Sequence, residues 1–165
     1  MDEIYKYVAS LLEYDTENGE FTWTSCKEVL TRLRGKAAGS TYSDGYVYIR
    51  YGGRRLLAHR IAWVKLYGVL PECSIDHINM NKSDNRQNNL RSATLTENNR
   101  NRAKQSNNTS GYKGVTFHRG TGKYQAKICV NKQRISLGYF DDPLVASGAY
   151  QQAAKEHHGE FARHK

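Results

Sequence analysis

With 165 residues, the chain is long enough for one ordinary domain or two small ones. Its 38% hydrophobic content and 18 aromatics (12 Tyr, 4 Phe, 2 Trp) exclude a disordered chain and predict thin cores under a large polar surface. The formal charge of +9, from 25 basic and 16 acidic residues, points to a polyanionic partner, nucleic acid first.

From the N-terminus, MDEIYKYVAS lacks the basic start and apolar stretch of a signal peptide, so a cytoplasmic protein is expected. Ile4, Val8, Leu11 and Leu12 recur at helical spacing and predict a short helix over 2–12. Residues 20–24 alternate as a strand. Residues 45–51 and 54–58 flank Gly52-Gly53, a pair suited to the positive φ angles of a tight hairpin turn. A helix over 59–67 packs through Ile61, Ala62 and Leu66, and Gly68 with Pro71 ends it. Nowhere do about 18 apolar residues follow one another, and no basic helix carries a bulky apolar face, so no membrane partner is expected. Cys26, Cys73 and Cys129 are far apart and form no CxxC pair, which predicts reduced thiols rather than disulfides or a zinc knuckle.

Residues 76–104 are dense in Asn, Asp, Ser and Arg and have too few apolar groups to build a core by themselves. Residues 105–110 read as a linker. Three strand-like runs follow, at 112–118, 123–130 and 133–139, and Pro143 then opens a helix bearing Ala146, Ala149, Ala153 and Ala154. The predicted division is a domain over 1–104, the linker, and a three-stranded sheet with one covering helix over 111–165, an α+β chain throughout. Between 105 and 140 there are six basic residues (Lys113, Arg119, Lys123, Lys127, Lys132, Arg134) and no acidic ones, with Tyr112, His118, Tyr124 and Tyr139 interleaved. Such a sheet face suits a duplex groove, the plainer reading being a solvated face.

Phosphodiester hydrolysis needs a base to take a proton from the attacking water and a cation to neutralise the phosphate and the leaving oxygen. A histidine fits the first task near neutral pH; a carboxylate and an amide oxygen are hard donors that suit Mg²⁺. Asp76, His77 and a downstream Asn supply this inventory. Successive residues of an extended strand point opposite ways, so Asp76 and His77 require a bend to serve one phosphate.

Segment 59–102 resembles the HNH nuclease family of phage and homing enzymes. The resemblance runs through His59-Arg60, Asp76-His77-Ile78, Asn79 with Asn81-Lys82, Asp84-Asn85-Arg86, Asn88-Asn89-Leu90 and Glu97-Asn98-Asn99-Arg100. It implies a ββα-metal fold, two short strands and a wide loop followed by a helix from near Thr94 to about Arg102. It implies His77 as general base, Asp76 and Asn98 as metal ligands, and Asn89 as the residue that ties the loop and holds His77. Asn89 follows His77 by 12 positions and Asn98 by 21, as in relatives with Asp and Asn ligands; Asn99 is the alternative to Asn98. All-oxygen ligation favours Mg²⁺, or Mn²⁺, over Zn²⁺. His59 occupies a recurrent position ahead of the site, with a structural helix histidine the preferred reading and phosphate contact the alternative. Arg86 and Arg91 are candidates for phosphate contact against ordinary surface charge.

Residues 110–162 resemble the AP2 DNA-binding domain, through Ser110-Gly111-Tyr112-Lys113-Gly114-Val115, Tyr124-Gln125-Ala126-Lys127-Ile128, Leu137-Gly138-Tyr139-Phe140, Ala149-Tyr150, Ala153-Ala154 and Gly159. That resemblance implies a sheet in the major groove with Lys113, Thr116, His118, Arg119, Lys127, Arg134 and Ser136 as contacts, and Leu137, Phe140 and Tyr150 in the core. The sum is an expected metal-dependent endonuclease on double-stranded DNA, site-directed and of homing type, from a phage and acting in the bacterial cytoplasm. It has no evident protein partner and is expected to be a monomer or weak dimer. The alternatives are a non-catalytic DNA-binding regulator and a non-specific nuclease.

Overall fold

The computed structural model describes residues 2–25, 27–101 and 108–162. Cys26, the predicted helix end at Arg102 and residues 105–107 of the predicted linker lie outside the described residues. The chain divides into two units, Met1–Leu95 and Thr96–Lys165.

In the first unit, helix α1 (Asp2–Ser10) stops short of the predicted residue 12 and buries Tyr5, Val8 and Ala9. Of the predicted face only Val8 is among these, and Leu11 and Leu12 leave the helix and are buried at the turn and the start of the next strand. Strands β1 (Leu12–Tyr14), β2 (Phe21–Trp23) and β3 (Ala37–Ala38) form one antiparallel sheet in that order. Strands β4 (Ser40–Thr41), β5 (Val47–Tyr51) and β6 (Arg54–Leu57) form a second. The two-residue β3 and β4 are too short to leave a periodic signal. Gly52 and Gly53 both take positive φ, 55° and 75°, and close the β5–β6 hairpin directly between paired Tyr51 and Arg54. Helix α2 (Ala58–Tyr67) follows β6 with no break and ends at Gly68, whose φ of 77° lets its N–H reach the Val64 carbonyl at 2.8 Å. Val8, Leu12, Ile49, Ala58, Ile61 and Ala62 are completely buried and form the centre of the core. Strands β7 (Ser74–His77) and β8 (Leu90–Ala93) pair antiparallel, with Asp76 opposite Arg91 and His77 opposite Leu90.

Helix α3 (Leu95–Asn101) begins on the last residue of the first unit, within one residue of its predicted start, and runs into the second. Strands β9 (Val115–His118), β10 (Lys123–Val130) and β11 (Gln133–Phe140) form an antiparallel sheet with β10 central. Asn131 and Lys132, at φ 49° and 66°, make the β10–β11 turn. Helix α4 (Pro143–His158) starts with Pro143 in its first turn and Asp142 as cap, the carboxylate accepting the Leu144 N–H at 2.7 Å. It covers one sheet face. Ala146, Tyr150, Ala153 and Ala154 pack there with Val115, Ala126 and Ile128, against half-buried Leu137 and Phe140. Gly114 is required: a Cβ there would meet the Tyr150 ring at 2.1 Å. No described helix is long and apolar enough to cross a membrane.

Candidate active site

The polar segment after β7 is ordered by its own amides and carboxylates. β7 stops at His77, whose carbonyl accepts the Met80 N–H at 2.9 Å, and Met80 turns through a positive φ of 63°. Asn79 caps the next turn by accepting the Asn81 N–H at 2.8 Å, and its amide donates to Asp84 at 2.6 Å. Arg86 grips Asp84 with two guanidinium bonds, Nε at 2.8 Å and Nη2 at 2.6 Å. That fork, with the Arg86 and Asn79 bonds beside it, holds the Asp84 carboxyl down at about 2. Asn89 closes the loop from both sides: its Oδ1 accepts the Asn79 N–H at 2.9 Å and its Nδ2 donates to the Asp84 carbonyl at 2.7 Å. The Ile78 N–H reaches the Asn89 carbonyl at 2.9 Å.

The loop is also fastened to the frame of the first unit. The Tyr14 hydroxyl donates to the Asn85 carbonyl at 2.7 Å, and the Gln87 N–H to the Thr16 carbonyl at 3.1 Å. Burial, helped by Asp15, pushes the Tyr14 phenol up to about 12. Gly19 lies so close that a Cβ would stand 2.5 Å from the Asn85 and Arg86 backbone. From the other side, Lys82 donates to the Asp44 carbonyl at 3.0 Å and its ammonium lies 4.6 Å over the Tyr46 ring.

Within this frame Asp76 and His77 are both buried, at 6% and 4% exposed. The register pairing of Asp76 with Arg91 becomes an ion pair. Nε and Nη2 of Arg91 reach the same carboxylate oxygen, Oδ2, at 3.0 and 2.9 Å, and the two side chains are only 11% and 7% exposed. Arg91 is therefore not a surface charge; it is the counter-ion of the candidate metal ligand. Arg86 is also paired, with Asp84, but its own side chain stays 46% exposed at the surface.

His77 lies against Asn85, whose Oδ1 is 3.3 Å from Nε2. Burial lowers the tendency of His77 to hold a proton, and the Asn85 bond with the Asp76 and Asp84 charges partly offsets that loss. The ring thus stands as a neutral imidazole near neutral pH, the form a general base requires. His59, the second residue of α2, meets it edge to face with centroids 5.2 Å apart, and Tyr46 completes the group at 5.3 Å from His59 and 6.0 Å from His77. Burial, reinforced by His77 and Arg60, pushes the His59 imidazole down to about 3, and its buried Nδ1 has no hydrogen-bond partner.

Among the described residues no group of three or more His, Cys, Asp and Glu stands ready to hold a metal. A site of hard oxygens completed by water and phosphate needs no such group, and the Asp76 carboxylate suits one. Asn98 lies on α3, half-buried, with Asn99 exposed.

On the second unit's sheet, strand register places Thr116 and His118 of β9 and Lys127 of β10 on one face with Arg134 and Ser136 of β11, away from α4. Lys123, Gln125 and Tyr139 share that face; Gln125 donates to the Ser136 hydroxyl at 3.2 Å, and His118 meets the Tyr139 ring at 5.4 Å. Arg119 follows β9 in the turn and is exposed. Lys113 lies off the sheet and donates to the Arg100 carbonyl. Sequence reasoning gave no role to Asn85 or Tyr46. The signal for Asn85 was its place inside the Asp84-Asn85-Arg86 motif; Tyr46 had none.

A family model described as HNH endonuclease matches residues 56–100, from β6 through most of α3. The match suggests a nuclease acting on DNA. No solved structure matches the chain.

Proposed function

We propose that the chain is a metal-dependent endonuclease that hydrolyses phosphodiester bonds of double-stranded DNA, directed to its site by the second unit. The observation that carries this reading is the burial of Asp76 and His77, successive residues of the unbroken strand end of β7 beside the loop tied by Asn89, inside the segment that the HNH endonuclease model matches. The expected bend between them is absent, since both keep their ladder partners Arg91 and Leu90.

In this mechanism the His77 imidazole takes the proton from the water that attacks phosphorus. Asp76 offers the metal a carboxylate held in place by Arg91. Asn98, carried over from the motif alone, offers the amide oxygen. Bound Mg²⁺, or Mn²⁺, supplies charge neutralisation at the phosphate and at the leaving 3′ oxygen. Asn89 keeps the loop that carries the base from opening. The basic and aromatic sheet face bearing Thr116, His118, Lys127, Arg134 and Ser136 meets the duplex groove, with Arg119 at its edge, in the manner of an AP2 domain. A phage origin, a homing role and action in the bacterial cytoplasm follow from the same resemblance.

A buried carboxylate, imidazole and guanidinium together are costly to fold around, and a regulator that only binds DNA gains nothing from them. The test is supercoiled plasmid incubated with the protein in Mg²⁺, in EDTA, and with His77→Ala. Conversion to nicked or linear DNA that disappears in both controls is the expected result. A His77→Ala variant that cuts as well as wild type removes the base assignment. A protein that retards duplex DNA yet cuts neither plasmid nor phage genomic DNA in either metal is a regulator.

A further inference from the structure

We propose that Asn85 is the positioning residue that sets the tautomer of His77, so that the proton sits on Nε2 and the basic lone pair on Nδ1. The proposal rests on His77 being the base.

The argument begins with what an amide can do. A side-chain carbonyl oxygen only accepts hydrogen bonds, and an amide nitrogen only donates. Asn85 is 2% exposed, and its Nδ2 donates to the Ser83 carbonyl at 3.4 Å. With Nδ2 turned to Ser83, Oδ1 faces His77 Nε2 at 3.3 Å, a little longer than the usual N–H···O distance. An acceptor facing a ring nitrogen requires that nitrogen to carry the hydrogen. A neutral imidazole has one such hydrogen, so the lone pair falls to Nδ1.

Three features hold Asn85 itself. Its carbonyl receives the Tyr14 hydroxyl at 2.7 Å. Its backbone is packed against Gly19, where no side chain fits. The residues on either side are committed as well, Asp84 to the Arg86 fork and Arg86 back to Asp84. A carboxylate at position 85 would also accept the Nε2 hydrogen, but it would add a negative charge to a pocket that already contains Asp76 and has Asp84 at its edge. A neutral amide orients the ring without that addition. The role differs from that of Asn89, which contacts backbone at Asn79 and Asp84 and so shapes the loop.

The experiment uses full-length, metal-free, ¹⁵N-labelled protein at about pH 7.5, where long-range ¹H–¹⁵N imidazole correlations report which ring nitrogen holds the proton. His77 is assigned by its absence from His77→Gln. The expected wild-type pattern is protonated Nε2 with bare Nδ1. Asn85→Leu is expected to average the two tautomers. It is also expected to lower kcat on plasmid about 10- to 100-fold, as the loss of supporting groups around active-site ligands typically does, with KM within about twofold of wild type. Asn85→Asp keeps the acceptor and is expected to restore the Nε2–H pattern. A wild-type His77 protonated on Nδ1 overturns the proposal without any variant having to fold, as does an Asn85→Leu protein with unchanged tautomer and kcat. If instead the tautomer is as expected but His77→Ala still cuts DNA, the orientation stands and the base assignment falls.

Discussion

His59 gives the sharpest test of how the first unit responds to acid. Its imidazole is buried, its Nδ1 has no partner, and burial beside His77 and Arg60 brings its protonation down to about 3. In the unfolded chain the same group titrates near 6.5. Between those values the unfolded state binds a proton that the folded state refuses, so stability is complete above about 6.5 and is lost as pH falls toward 3. At pH 5 the unfolded His59 is almost fully protonated and the folded one hardly at all. The linkage then removes about 2 kcal/mol relative to pH 7.5. His77, displaced in the same direction, adds to the loss. In His59→Phe the His59 share of this loss is abolished, and an apolar ring in place of an unpartnered one leaves stability at pH 7.5 no lower than wild type. Both tryptophans, Trp23 and Trp63, belong to the first unit, so urea unfolding followed by their fluorescence reads this unit alone. With a urea slope of about 1–2 kcal/mol/M, the wild-type midpoint is expected to fall between pH 7.5 and pH 5 by about 1–2 M more than that of His59→Phe. Equal losses in the two proteins would show that the folded imidazole takes up its proton, and the argument from burial would be wrong.

Removing the guanidinium in Arg91→Leu leaves Asp76 buried without its counter-ion, and the first unit is expected to lose about 3–5 kcal/mol in the same urea assay. A loss below about 1 kcal/mol would mean that the pair is solvent-screened. Asp142→Ala deletes the cap of α4 and is expected to cost the second unit about 1 kcal/mol by thermal denaturation, with Asp142→Ser losing little of it. Gly114→Ala combines a φ of 74° with a Cβ only 2.1 Å from the Tyr150 ring, and the circular dichroism melting transition of the second unit is expected to disappear at physiological temperature. Wild-type melting there would show that Tyr150 moves aside.

The parts of the fold written in local chemistry were legible in the sequence. Gly52-Gly53 closes a hairpin because only positive φ angles fit it, and the runs at 123–130 and 133–139 align with β10 and β11 because alternation and turn residues agree there, while of the run at 112–118 only Val115–His118 forms β9, after a turn at Gly114. Strands β3 and β4 were not legible, since two residues carry no period. The site divides in the same way. Asp76, His77 and Asn89 stand out by residue type and spacing. The ion pair of Asp76 with Arg91 depends on strand register across 15 positions, and the ring group of Tyr46, His59 and His77 on how the turn before β5 and helix α2 meet β7; neither is a property of any window of sequence.

The ties that hold the wide loop have a consequence for anyone who would transplant it. Residues 56–100 contain the whole recognisable motif, yet the loop is fixed by Tyr14 and Thr16, seated against Gly19, and bridged by Lys82 to the turn that carries Tyr46. All of these anchor points come from the first 46 residues. Grafted onto another scaffold without them, the motif keeps every residue its chemistry names and loses the template that aligns them. A graft that is to keep the shape of the loop therefore has to carry these anchoring residues of the first unit with it.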